Sequence, residues 1–525
     1  MLIQLTMNSR TINHFRSFRL LIFFAIFSSS AFSQKQEISW GDQGNGTYIN
    51  PILNADYSDP DAIRVGDDYY MVCSEFHFMG MPVLHSKDLV NWTIIGQIYH
   101  EFRFAPEFDT NDRYAGGSWA PSIRYHDKKF WVYFCTPDEG LFMTTAEKPE
   151  GPWEPLTQVV EIPKWEDPCP FWDDNGQGYL ARSIWGAGPI IVHKLSPDGK
   201  KLMDDGVTVY TGPVAEGPKP FKRNGYYYIS LPEGGVGEGW QTILRSKNIY
   251  GPYEKKVVLE TGSTHINGPH QGALVDTPDG EWWFLHFQLY PPLGRVVHLQ
   301  PAWWKEDWPV IGVDIDRNGI GEPVYSWQNP YKNTTVAKPQ ATDDFDSPKP
   351  GLQWAWNHNP VDKAWSLTEN PGKLTLHALH ADNFLKAQNT LTQKIMGYNG
   401  ETIVLLDGKK MKEGQKAGLC VMGKDYALVG LKKQDGKFYL FTDVNGTQNE
   451  TKIAASYIWL KVRITSEKNQ NQFSYSSNDK QFIPVGDNFE VLYGHWKGPR
   501  IGLYSFNETE EGGIAVFDSF RYGFN

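Results

Sequence analysis

The sequence predicts an all-β fold, a five-bladed β-propeller followed by a β-sandwich, and three observations predict it. Past about residue 48 no long segment keeps a helical period; short apolar-polar runs broken by Gly, Asp, Asn and Pro prevail. Similar units begin near residues 59, 119, 167, 216 and 268, each with an aromatic strand after a turn. Units of that size cannot bury their own faces, so they are read as blades packed around an axis. From residue 342 onward, alternating strands at regular spacing, separated by charged turns, read as an antiparallel sandwich.

Taken in order, the chain opens with Arg10, Arg16 and Arg19, then the apolar run LLIFFAIF, then SSSAFS ending at Ser33. A basic segment, a short apolar core and a small-residue step read as a secretory signal peptide over residues 1–33. The apolar run is too short to span a bilayer, so no membrane span is expected and the mature chain is expected to be secreted or periplasmic. The propeller is assigned to residues 34–330. The polar, Pro-containing text WQNPYKNTTVAKPQA marks a linker at 331–341, and the sandwich fills 342–525.

A net charge of -11 with no basic run argues against nucleic acid or an anionic membrane as partner. The 20 Trp, 26 Tyr and 29 Phe exceed ordinary usage. Most of these rings are expected in cores, and the remainder suit stacking on sugar rings. Cys73, Cys135, Cys169 and Cys420 are too few for a disulfide framework in so long an exported chain and are read as buried free thiols. No CxxC or HExxH spacing is present, so no catalytic metal is called on.

The chemistry is placed in three recurring acids. Asp59 stands in YSDPDAIRVGDDYY, Asp167 in KWEDPCPFWDDNGQGYLARS and Glu216 in AEGPKPFKRNGYYYISLPEGG. Each acid is followed within two residues by Pro, then an apolar strand, a Gly-containing turn and an aromatic strand. A carboxylate at the mouth of a strand entering a core is costly unless it is paired or used. Equivalent corners of blades around one axis would bring the three together. Glycoside hydrolysis by inversion needs one carboxylate to activate water and one carboxylic acid to protonate the leaving oxygen. A third carboxyl nearby would hold the acid's pKa up by like-charge repulsion.

The segments NPILNADYSDPDAIRVGDDYYMV, HSKDLVNW, SWAPSIRYHDKKFWVYF, RSKNIYGPYE and LGRVVHLQPAWWKEDWPV, with the Glu216 segment, resemble glycoside hydrolase family 43 from residue 48 to about 330. That family contains β-xylosidases, α-L-arabinofuranosidases and arabinanases, and residues 342–525 resemble the concanavalin-like sandwich of its β-xylosidase-type members. The resemblance implies Asp59 as general base, Asp167 as the acid that tunes and orients, and Glu216 as general acid. Asp61 stands where the family's first motif usually has Ser, and so competes for the base role; Glu166, Pro168 and Cys169 depart from the second motif.

The resemblance further implies Trp119, Arg295, Phe76 and His270 as substrate-binding or pocket-lining residues. Beside Phe76, His77 and Phe78 belong to the same wall loop, where Met79-Gly80-Met81 replaces the usual Pro-Gly. His270 in some members helps hold a hydrated cation, so a structural calcium on the propeller axis is admitted while no cofactor is required. The implied activity is exo-acting removal of terminal xylose or arabinofuranose from plant-cell-wall oligosaccharides, in a pocket closed by the sandwich. An endo-arabinanase and a non-catalytic carbohydrate-binding propeller stand as alternatives. The first usually lacks the sandwich, and the second would have lost an acid.

Overall fold

A computed structural model describes residues 41–525 apart from 267 and 467. The leader read at 1–33 lies outside the described residues. Five four-stranded antiparallel sheets follow one another in chain order, spanning residues 61–97, 119–160, 165–210, 219–259 and 270–311. Each is a simple meander in which the first strand lies innermost and the fourth outermost, as blades of a propeller require. The inner strands are Asp61–Val65, Trp119–His126, Trp165–Trp172, Lys219–Arg223 and His270–Asp276.

Asp61–Val65 packs between Trp119–His126 and His270–Asp276, so the fifth blade meets the first and the ring closes. The segment ahead of blade 1 secures that closure. Leu53 exchanges backbone hydrogen bonds with Val297 of blade 5, and Tyr57 N donates to Arg295 O at 3.1 Å. Asp61 is fully buried and ties blades together from inside: it accepts from Ile123 N at 2.8 Å and Arg124 Nη1 at 2.6 Å, with Lys219 Nζ at 3.6 Å.

Residues 331–341 run back along blade 1. Tyr331 Oη is 2.6 Å from Tyr69 Oη, and Gln340 exchanges hydrogen bonds with the main chain of Ile94. Beyond them, two sheets of eight and seven strands form the sandwich. Gln415–Met422 is buried at every position, as a central strand should be, whereas Tyr457–Thr465 alternates between buried and more exposed residues. The edge strand Thr447–Ile453 is polar and exposed (TQNETKI), which discourages pairing with another chain. All four cysteines are free and buried.

The sandwich is seated on the propeller by backbone and core. Phe78 bridges to Asn357, Ala55 to Met396, and Met79 N donates to Trp356 O at 2.9 Å. One apolar cluster runs from Met71 and Leu84 of blade 1 into Leu391, Leu419 and Val421 of the sandwich.

Candidate active site

The blades present two kinds of position to one end of the axis. The heads of the inner strands supply Asp59, Trp119, Glu166, Asp167, Glu216 and His270; connections after the second strands supply Phe76, Trp185 and Val236, and the end of the second strand of blade 5, Trp282–Tyr290, supplies Leu289. With Arg295 they line a cavity of about 430 Å³, the size of a small-ligand site. Tyr493 and Trp496, from the sandwich segment between Ile483–Phe489 and Arg500–Asn507, complete the wall. The seven residues singled out in the sequence are thus brought into one cavity. His77 and Phe78 are not: His77 packs against Tyr114 and His358, and Phe78 enters a sandwich core cluster. Asp61 lines a different cavity on the axis, among Arg64, Arg124 and Lys219.

The local backbone explains how the acids turn inward. Asp59 and Asp167 both adopt left-handed conformations, with φ of 53° and 56°. Such residues cost about 1–3 kcal/mol each and persist only where the surroundings hold them. The repeated Asp-Pro corner is therefore a repeated backbone device as well as a repeated text. Inner strands of blades 2, 3 and 5 break register at Trp119/Ser122, Glu166/Cys169 and His270/Gly272, and bulges of this kind re-aim side chains.

Each acid has its own partners. Asp59 accepts from Arg295 Nη1 at 2.6 Å and from Ser74 Oγ. Asp167 Oδ2 accepts from Gly217 N at 2.7 Å and Ser183 Oγ at 2.8 Å. Gly217 has φ of 57°, and a Cβ there would lie 2.8 Å from Gln271 Cγ, so glycine is needed to deliver that N–H. Glu216 Oε1 lies 2.6 Å from His270 Nε2. Oxygens of Glu166, Asp167 and Glu216 lie within 4.8 Å of one another, and Asp59 stands outside that cluster.

So many carboxyls with one guanidinium cannot all be ionised cheaply. Burial, then the charges of Asp167 and Glu216, push Glu166 up to about 9. Burial and Glu216 push Asp167 up to about 6, against the two hydrogen bonds it accepts. Burial also pushes Glu216 up, but the His270 hydrogen bond and charge, with Arg295, outweigh it and leave Glu216 below the usual range. The expectation that a neighbouring acid holds Glu216 up is met instead at Glu166 and Asp167, because His270 is the nearer partner.

These shifts act on stability. A carboxyl raised from 4.5 to about 9 on folding contributes stability that is full below pH 4.5 and is lost as pH rises through about 9. Glu166→Gln is therefore expected to leave the melting temperature unchanged near pH 4.5 and to raise it relative to the parent by pH 8 to 9. Melts across that range check it, and a constant offset at every pH would contradict it.

Aromatic rings form the remaining wall. Trp119 is anchored by Nε1 to Ala115 O at 2.8 Å and meets Phe76, Trp185 and Trp496 edge-on at centroid distances of 6.0, 5.8 and 5.2 Å. Rings of this kind, with carboxyls and a guanidinium facing them, are the apparatus for holding a sugar and exchanging protons with it. Comparison with known sequences agrees, for the profile described as "Glycosyl hydrolases family 43" matches residues 48–309.

The chain belongs to glycosyl hydrolase family 43. A second profile, the beta xylosidase C-terminal concanavalin A-like domain, matches residues 342–523 of this family 43 chain. A Xylanibacter ruminicola protein, provisionally named a beta-xylosidase, is 56% identical over 88% of this chain and 87% of its own. The non-reducing end alpha-L-arabinofuranosidase of Bacteroides ovatus is 33% identical over 72% of this chain and 74% of its own. Among solved structures, the family 43 protein of Bacillus licheniformis superposes with a TM-score of 0.80 at 28% identity, covering 91% of this chain and 99% of that one.

Some of this family 43 site escaped the sequence reading. Glu166 stands out in the sequence only as the neighbour of Asp167. Trp185 and Val236 could have been found from the repeat, since they follow the second strand of their blades as Phe76 follows that of blade 1, whereas Leu289 lies at the end of its second strand. Tyr493 and Trp496 carry no local signal, because they reach the cavity only through the docking of the sandwich.

Proposed function

We propose that this glycosidase removes terminal xylose or arabinofuranose units from oligosaccharides of plant cell walls by a single-displacement, inverting reaction, outside the cytoplasm. Asp59 takes the proton of the attacking water, Glu216 protonates the leaving oxygen, and Asp167 orients the site and tunes Glu216. Arg295 donates to Asp59 at 2.6 Å and faces the bound sugar, and Phe76, Trp119 and Trp496 enclose it. The observation that carries this reading is the meeting of Asp59, Asp167 and Glu216 in one cavity with an aromatic wall. Exo action is supported by the sandwich residues Tyr493 and Trp496 standing in that wall.

Proton transfers are all assigned to carboxyls, so no metal enters the reaction as written. The three carboxyls nearest one another, Glu166, Asp167 and Glu216, do not fit an axial calcium, since Glu166 keeps its proton up to about pH 9 and Glu216 must hold one to deliver it. Asp61, on the axis, is already engaged by Arg124 and Lys219.

Turnover of paired aryl β-xyloside and aryl α-arabinofuranoside substrates, with the anomer of the first-formed sugar followed by NMR, tests the proposal. Release of a monosaccharide with inverted configuration is expected. A retained anomer would overturn the assignment of Asp59 as base, and oligosaccharide products from longer chains would overturn exo action.

A further inference from the structure

We infer that Lys497, in the sandwich, is a positioning residue for the catalytic base in the propeller, so that the second domain sets the geometry of Asp59 as well as covering the pocket. The inference rests on the reading of Asp59 as base. Lys497 is 1% exposed, and its ammonium meets the propeller at two points: Asp56 Oδ2 at 2.7 Å and the carbonyl oxygen of Ser74 at 3.0 Å.

Both of those residues hold the base. Asp56 Oδ1 accepts from Arg295 N at 2.9 Å and from Ser58 Oγ at 2.9 Å, and Arg295 Nη1 in turn donates to Asp59 Oδ1 at 2.6 Å. Ser74 donates its hydroxyl to Asp59 Oδ2, and its N–H to Ser58 O at 3.0 Å. Each oxygen of the Asp59 carboxylate is thus held by a group whose own support ends at Lys497. The base needs such support, since its φ of 53° is one that surrounding contacts must impose.

The charges argue the same way. Asp56 is buried, and Lys497 and Lys394 hold its carboxyl at about 2, well below the usual range, against the cost of burial. A buried ion loses heavily when its one close partner is removed. Around Lys497 stand also Cys73, Glu75, Lys394 and Arg500. Glu75 is served by Lys394, at 2.7 Å, and by Arg500. Lys497 alone among these sandwich cations hydrogen-bonds both Asp56 and Ser74. Across the pocket, Glu166, Asp167, Glu216 and Tyr493 face Asp59 and Arg295.

The test uses the full chain and the pH dependence of kcat/KM, whose acidic limb reports the base in this reading. Lys497→Met leaves Asp56 an unpaired anion that competes for Arg295, so the limb is expected to move to higher pH, with kcat reduced roughly 10- to 100-fold. Asp56→Asn keeps an acceptor for Arg295 N but frees the charges of Lys497 and Arg295 to act on Asp59, so the limb moves to lower pH. Lys394→Met removes another buried interface cation, which acts on Asp56 only at a distance and hydrogen-bonds Glu75 instead, so it is expected to lower the melting temperature and to move the limb far less than Lys497→Met does.

Opposite shifts in the first two variants establish the link. Shifts of one sign, or none, mean that Lys497 only fastens the domains and overturn the inference. If Lys497→Met does not fold, the downward shift in Asp56→Asn, or its absence, decides alone. An active Asp59→Asn variant would instead show that the reading of the base is wrong, a separate outcome.

Discussion

Glu216→Ala is expected to lose roughly 10²- to 10⁴-fold in kcat on natural glycosides and far less on aryl glycosides whose leaving groups need little protonation. The difference between substrates is the diagnostic part. A leaving sugar hydroxyl is a poor anion and must receive a proton as the bond breaks, whereas an activated phenolate departs unaided. Equal losses on both substrates would remove Glu216 from the acid role and leave it a binding residue.

His270 holds Glu216 below the usual carboxylate range, which by itself does not suit an acid. The cluster resolves this, because Glu166, at about 9, keeps a proton at neutral pH within 4.8 Å of Glu216. Three interacting carboxyls titrate as one system, so the basic limb of the rate profile belongs to the set and not to Glu216 by itself. Adding a sugar displaces water from that set and strengthens the repulsion between its charges, which favours the protonated form where it is needed.

The legible part of this protein is the part that repeats. Short-period alternation and five similar units led to the propeller, and the Asp-Pro and Glu-Gly-Pro corners led to Asp59, Asp167 and Glu216, because strand heads in a closed ring must point to one axis. Trp119 and His270 came with the family resemblance, and the structure sets both at the heads of inner strands. The illegible part depends on distance along the chain. Nothing near Trp496 says that its ring will meet Trp119 at 5.2 Å, since 377 residues and a domain interface separate them. The direction of the Glu216 shift was likewise hidden: the sequence shows neighbouring acids but not that a histidine from the next blade stands 2.6 Å away.

Asp59→Asn is expected to abolish most turnover, roughly 10³- to 10⁴-fold, and to do so alike for good and poor leaving groups. Water must be deprotonated whichever bond is broken, so the leaving group offers no escape. Loss of the carboxylate also removes the anion that Arg295 Nη1 engages at 2.6 Å, and a displaced Arg295 could by itself depress activity. Azide separates the two causes. In Asp59→Ala, azide enters the vacated space and attacks without needing a base; if Asp59 is the base, azide restores turnover of aryl glycosides and yields the inverted glycosyl azide. If the defect lies in Arg295, azide restores nothing. Because Ser74 and Arg295 hold the carboxylate from two sides, the group proposed as base is already aimed before substrate arrives. The energy of that aiming is invested in folding, through a strained Asp59 backbone, and the reaction is spared it.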